Sequence, residues 1–270
     1  MAAPARKVAL VTAGSAGLGA AIARVLALEL GMSVTINYHS NANRAAALVK
    51  ELQDTWAARH ATDAGAQVAP PVFHAIRADI CKRSEIIRLV EETTAASGGR
   101  LDTVISNVGW TKMRNFSDLD DGVDEDDWDR CFDSNVKAHL WLFHASKKWL
   151  EESNAGEEGS AVFVSTASIA GCKPSGSSLP YAVTKAAQIH LIKSLAVISA
   201  PSIRVNCVSP GILLTDWGLS FPAARLEAAK EANKLKRFAT VEDVAQQVRT
   251  FVVSKTITGQ NAIIDAGFSL

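Results

Sequence analysis

Thr12-Ala13-Gly14-Ser15-Ala16-Gly17-Leu18-Gly19 is the stretch whose reading decides the fold. It follows the apolar run Val8–Val11 and leads into a helix-like segment read over Ala20–Leu30. Glycines at this junction permit φ > 0 and let backbone N–H groups approach an anion at a helix N-terminus. A strand, a glycine turn and a helix in that order open dinucleotide-binding α/β folds, and also many α/β proteins that bind no nucleotide.

The pattern repeats outward from there. Strands are read at Val8–Val11, Ser33–Asn37, Val72–Ala78, Thr103–Ser106, Ala161–Ser165, Arg204–Val208 and Ala262–Ile264. Their apolar residues run nearly unbroken, as in parallel strands covered on both faces. Helices are read at Ala20–Leu30, Asn43–Arg59, Ser84–Ala96, Glu125–Leu150, Tyr181–Ile198 and Val241–Val252. This alternation implies an α/β protein, a single-domain Rossmann fold spanning 1–270 with a doubly wound parallel sheet of about seven strands. Thr62–Pro71 and Ser153–Gly159 read as loops, and a helix-prone excursion at about 215–237 precedes the last crossover. The ligand crevice is expected beyond the carboxyl ends of the strands.

Composition bounds the function. Lys+Arg and Asp+Glu balance at 28 each, so charge gives no reason to expect a nucleic acid or an anionic membrane as partner. The acidic run from Asp118 to Asp129 reads as a solvated segment feeding a helix N-terminus. Cys81, Cys131, Cys172 and Cys207 form no CxxC pair, which points to reduced thiols in a cytoplasmic setting and to no metal site. His139 and His144, five apart, fall on different helical faces. No apolar run approaches the roughly 18–20 residues of a membrane span, and the N-terminal stretch reads as a strand entering a turn, not as a leader.

The glycine turn resembles the TGxxxGxG motif of the short-chain dehydrogenase/reductase family, and the resemblance covers nearly the whole chain. Ala13 stands where that family has its first glycine, and Ala16 where it often has a basic residue. The resemblance implies that Gly14, Ser15, Gly17, Leu18 and Gly19 bind the cofactor. At the end of the second strand Tyr38, Ser40 and Asn41 stand where an NAD-specific protein has a carboxylate, with Arg44 just beyond. NADP(H) is therefore the expected cofactor. Asn41 or Asn43 also suits a helix N-cap, and both roles can hold together. Asp79 and Ile80 match the family's adenine contact, with a turn carboxylate as the plainer reading of Asp79. Ser106-Asn107-Val108-Gly109 resembles the NNAG motif, and Pro210-Gly211-Ile212-Leu213-Leu214-Thr215 the segment that holds the nicotinamide carboxamide. Asn107, Gly109, Pro210, Gly211, Leu213 and Thr215 follow as cofactor residues.

Tyr181 and Lys185, four apart on a helix, share a face. A phenol ordinarily titrates near 10, and an adjacent ammonium lowers that value. Ser168 lies 13 residues before Tyr181, the family's spacing for its catalytic serine, and Asn135 matches the family's helix Asn. Ser165 competes for the serine role but sits within a strand. The resemblance implies that Ser168 holds a carbonyl oxygen, Tyr181 gives the proton, Lys185 lowers the phenol and binds the nicotinamide ribose, and Asn135 supports a water relay. The expected substrate is a small-molecule carbonyl compound, bulky and apolar, contacted by Trp110, Met113, Phe116, Ile169, Cys172, Trp217, Leu219 and Phe221. Arg114 and Lys173 read as solvated. The family also implies a homo-oligomer, dimer or tetramer. Two other classes share the scaffold: a non-redox dehydratase or cyclase, and a cofactor-sensing regulatory protein.

Overall fold

The computed structural model describes residues 6–61 and 69–270. Most of the expected Thr62–Pro71 loop lies outside them. Seven strands form one parallel sheet in the order β3-β2-β1-β4-β5-β6-β7: β1 Val8–Val11, β2 Ser33–Tyr38, β3 Phe73–Arg77, β4 Thr103–Ser106, β5 Val162–Thr166, β6 Arg204–Pro210 and β7 Asn261–Ile264. Parallel registers run throughout, for example Val8 opposite Ser33 and Ala9 opposite Thr103. Strand order reverses between β1 and β4, which opens the crevice there.

Both sheet faces are covered, and strand alternation decides which side chain goes where. Ala9 and Val11 of β1 pack with α1 Gly17–Leu28, α2 Ala42–Arg59 and α8 Val241–Val253. Val8 and Leu10 pack with α3 Arg83–Ala96, α5 Ala138–Gly156 and α6 Leu179–Ser199. In the second layer Phe163 is fully buried and meets Phe143 edge-on at 5.3 Å. Among the described residues no helix is long and apolar enough to cross a membrane.

Several boundaries differ from expectation for physical reasons. Helix α1 begins at Gly17, three residues early. Glycines are tolerated there because the first turn of a helix has no intrahelical acceptors for its N–H groups. The segment read as one helix from Glu125 is α4 Glu125–Phe132, a π-helical turn Asp133–Lys137, and α5, which runs on to Gly156 and absorbs half of the expected Ser153–Gly159 loop. The excursion contains a 3-10 turn Gly218–Ser220 and α7 Ala223–Ala232.

The acidic run is less solvated than expected. Arg114 donates to Asp121, Asp124 and Asp127 at 3.1, 2.8 and 2.8 Å, and Asp127 is buried. Asp124 caps α4 by accepting from the Asp127 backbone. Arg114 is thus a clamp on this segment, not a solvated side chain.

Candidate active site

A cavity of about 480 Å³ opens along the carboxyl ends of the strands. One end is lined by Ala13, Gly17 and Leu18 of the glycine turn, the middle by Asn107, Gly109, Thr166 and Lys185, and the other end by Ser168, Tyr181 and the excursion. It draws on loops after β1, β4, β5 and β6, which is why its residues lie so far apart in sequence.

The glycine turn is built for backbone approach. The N-cap of α1, Ala16, makes no side-chain hydrogen bond, and the first turn holds no acidic residue. Its N–H groups therefore face the crevice without a side-chain cap, the arrangement that attracts an anion. Gly17 has φ +49°, and a Cβ on it would meet Thr215 Cγ2 at 3.1 Å. Ala13, in the family's first-glycine position, adopts φ +48° and is held there by its N–H, which donates to Asn37 Oδ1 at 3.2 Å. Gly14 and Gly19 are buried inside the turn and Ser15 is half-buried.

Asn107 ties three strand ends together. Its N–H donates to Thr12 Oγ1 at 2.9 Å, and its Oδ1 accepts from Thr166 Oγ1 at 2.9 Å. Pro210, Gly211, Leu213 and Thr215 line the cavity after β6. Asp265, with no sequence motif to announce it, is buried beneath Gly211 and accepts from the backbones of Gly267 and Ser269. Arg44 lines the rim and pairs with Asp216 of the excursion at 3.0 Å.

Other expected cofactor residues stand apart from the cavity. Asn41 is the N-cap of α2, accepting from Arg44 N at 2.9 Å, and Ser40 is exposed beside it. Tyr38 packs half-buried against the first core layer. Asp79 accepts from Cys81 N, the turn-carboxylate arrangement, and Ile80 is buried in the second core layer.

Tyr181 and Lys185 share one face of α6, which is capped by Ser178 and has a proline in its first turn. Tyr181 is 6% exposed, and Trp217 meets its ring edge-on at 5.9 Å. Ser168 is the N-cap of the 3-10 turn Ile169–Gly171 and its side chain hydrogen-bonds the Tyr181 hydroxyl. Lys185 Nζ lies 5.6 Å from the Tyr181 ring centre and donates to Thr166 O at 3.0 Å and to Gln188 Oε1 at 2.9 Å. Asn135 is fully buried in the π-helical turn; its Oδ1 accepts from Trp110 N at 2.8 Å and its Nδ2 donates to Trp110 O and Thr184 Oγ1. It fixes the loop after β4 and lies outside the cavity wall.

Burial governs both titrating groups. It pushes the Tyr181 phenol up to about 12, partly offset by the Ser168 hydrogen bond. It pushes the Lys185 ammonium down to about 7. Desolvation is the largest influence on the phenol, and what lowers it in this structure is the Ser168 hydrogen bond. Ser165 is buried in β5 away from the cavity and cannot take the serine role.

The substrate end differs in part from expectation. Ile169, Trp217 and Phe221 line it. Trp110 and Phe116 pack instead around Cys131 and Tyr181, and Met113 and Leu219 are exposed outside it. Cys172 turns its thiol to Asn261 Nδ2. Phe238, Phe268, Asn233 and Arg225 complete the wall. Lys173, expected to be solvated, donates to Phe268 O at 3.2 Å and lies over its ring, bracing the C-terminal segment.

Comparison with known proteins places these features among relatives. The short chain dehydrogenase family matches residues 7–225. Dehydrogenase/reductase SDR family member 4 of Homo sapiens is 35% identical over 97% of this chain and 87% of that protein. The 3-oxoacyl-[acyl-carrier-protein] reductase FabG of Staphylococcus epidermidis is 29% identical over 97% of this chain and 98% of its own. A short chain dehydrogenase from Burkholderia cenocepacia, solved in complex with NADP, superposes with a TM-score of 0.83 at 29% identity over 98% of both chains.

Proposed function

This chain belongs to the short-chain dehydrogenase family and is an oxidoreductase of that fold, and from that premise we propose that it reduces ketones with NADP(H), Tyr181 delivering the proton. The observation that carries the reading is the convergence of Ser168, Tyr181 and Lys185 in one cavity whose far end is the uncapped first turn of α1.

The residues present fit the cofactor. Gly17 and Leu18 offer backbone N–H groups to a pyrophosphate, and Asn107, Gly109, Pro210, Gly211, Leu213 and Thr215 line the path to the reacting end. The end of β2 carries no acid to repel a 2′-phosphate, and Arg44 stands at the rim with a guanidinium able to meet one. The NADP-bound Burkholderia relative supports the same choice.

Bound NADPH would supply the hydride to the carbonyl carbon. Ser168 Oγ donates to the carbonyl oxygen and orients it. Tyr181 stays protonated at neutral pH and passes its proton to that oxygen as negative charge develops. Lys185 commits two of its protons to Thr166 and Gln188, which leaves the third for the cavity. Asn135 holds Trp110, and so the loop after β4 on which Gly109 sits. Trp217, Phe221, Phe238 and Phe268 give the substrate end an aromatic character suited to a bulky apolar ketone.

The same reading treats 1–270 as one catalytic unit in the cytoplasm, where its four free thiols stay reduced. It also treats the chain as a homo-oligomer. Val183, Val197 and Ile198, all exposed on the outer face of α6, support assembly through that helix. The test is a panel of bulky ketones with NADPH or NADH. Consumption of NADPH with equimolar alcohol, and much weaker use of NADH, is the expected result. Tight NADPH binding with no turnover on any carbonyl or alcohol would overturn it.

A further inference from the structure

Beneath Lys185 lies a set of polar side chains that the reaction itself does not use. Gln188, one turn along α6, is fully buried, as are Ser165 on β5, His139 on α5 and Ser106 on β4. Gln188 Oε1 accepts from Lys185 Nζ at 2.9 Å. Its Nε2 faces Ser165 Oγ at 2.6 Å, Thr166 O at 3.0 Å and His139 Nε2 at 3.1 Å. On the far side His139 Nδ1 lies 2.6 Å from Ser106 Oγ.

The chemistry of these neighbours fixes the amide in one orientation. An ammonium can only donate and a backbone carbonyl can only accept, so Lys185 requires the Gln188 oxygen and Thr166 O requires the nitrogen. The two amide hydrogens then face three neighbours, Thr166 O, Ser165 Oγ and His139 Nε2, while His139 also bonds the Val108 backbone and sets its Nδ1 3.1 Å from Ser165 Oγ. Complete burial keeps that imidazole neutral by driving its titration well below the ordinary histidine range.

An apolar residue at position 188 would take a hydrogen-bond partner from Lys185 Nζ, Ser165 Oγ and Thr166 O. The structure spends four buried polar side chains at one place, each with a partner, and they end on Lys185. The titratable groups around Lys185 are Tyr181 on its own helix, Cys131 on α4, His139 on α5 and Cys207 on β6. Burial raises both thiols, to about 11 and about 12, so they stay neutral. Among the described residues no carboxylate pairs with Lys185.

We infer that Gln188, locked by His139, Ser165 and Ser106, is a positioning residue that aims Lys185 into the cavity and favours its protonated form. This rests on the reductase reading for its consequence in catalysis, though not for its geometry. A hydrogen bond to a charged group is worth enough to move a titration by about one to two pH units, ten- to hundredfold in the protonation equilibrium.

The test uses the full-length, cofactor-free protein labelled with [13Cε]lysine, with the Lys185 signal assigned by its loss in Lys185→Met. In Gln188→Leu the Lys185 midpoint should fall by about one to two pH units. In Gln188→Glu it should rise, and the high-pH limb of kcat for ketone reduction should move in the same direction in each variant. Midpoints within a few tenths of a unit of the parent in both folded variants would overturn the inference. Should Gln188→Leu not fold, the direction of the Gln188→Glu shift decides alone. If the midpoints move but no carbonyl compound is reduced, the positioning role stands and the reductase reading falls. If ketones are reduced while the midpoints stay put, the positioning role falls and the reductase reading stands.

Discussion

Gly171→Ala adds one methyl group at the point where the serine turn lies against the tyrosine helix. A Cβ there would come 2.5 Å from the carbonyl carbon of Lys185, 2.7 Å from its oxygen and 2.8 Å from Ala186 N. Ordinary carbon contacts lie near 3.5–4.0 Å, so relief needs a movement of about 1 Å. All three obstacles are backbone atoms of α6, so no side-chain rotation can supply it. Either the 3-10 turn moves out and takes Ser168 with it, or α6 yields and takes Tyr181 and Lys185. Gly171 N donates to Ser168 O at 2.9 Å, which couples the two ends of the turn. Both routes pull Ser168 from the Tyr181 hydroxyl, and a misplacement of about 1 Å costs on the order of a hundredfold in rate. Overpacking of this kind destabilises by about 1–3 kcal/mol, a few degrees in Tm at this chain length. The assay is kcat for ketone reduction, the NADPH dissociation constant by fluorescence, and a thermal melt. A kcat reduced about a hundredfold is expected, with NADPH affinity nearly unchanged because the Thr12–Gly19 turn is untouched. Gly156→Ala, where a Cβ meets nothing within 4 Å, serves as the neutral control. A folded Gly171→Ala enzyme within about threefold of the parent kcat would refute the claim that this contact aligns Ser168.

Three further outcomes follow from other sites. Ala13→Gly removes a Cβ from a left-handed backbone position (φ +48°), and should raise stability by about 1 kcal/mol or less, read as a Tm gain of a few degrees; a fall in Tm would show that the turn is unstrained. Arg44→Ala should raise KM for NADPH about tenfold or more and leave KM for NADH unchanged, and an equal effect on both would remove Arg44 from the 2′-phosphate. The cofactor-free protein should lose stability as pH falls. His139 titrates well below its unfolded value, so its buried neutral form is at no disadvantage above about pH 6.5 and its contribution is lost as pH drops below that. Lys185 is depressed to about 7 from an unfolded value near 10.5, so the unfolded chain binds the extra proton between those values and stability rises with pH across that window. Lys185→Met should flatten the rise between pH 7 and 8.5 in a melt series; an identical slope in that variant would contradict the assignment.

The strands were legible because burial on both faces writes them as unbroken apolar runs, and Val8–Val11 is an example copied residue for residue into the sheet. The π-helical turn at Asp133–Lys137 was not, since one extra residue in a turn barely disturbs the apolar spacing on either side. The Ser168, Tyr181 and Lys185 cluster was readable through its resemblance to the short-chain dehydrogenase/reductase motifs, and all three residues hang on adjacent elements after β5. Phe238 and Phe268 reach the same cavity from the end of the chain, and only tertiary folding brings them there. Gln188 is a polar residue on the α6 face that carries Lys185, a signal that could have prompted the question of what it bonds. Asn41 and Asp79 carry the local roles that the sequence also offered, accepting from Arg44 N as a helix cap and from Cys81 N as a turn carboxylate.

The central claim concerns one proton, and Tyr181→Phe tests it most directly. The substitution removes the hydroxyl and leaves the ring that meets Trp217 edge-on. With NADPH and a ketone that the parent enzyme reduces, kcat should fall by about a hundredfold or more while NADPH affinity stays within a few-fold of the parent. Undiminished turnover in a folded Tyr181→Phe enzyme would contradict the account, because the proton would then have to come from elsewhere.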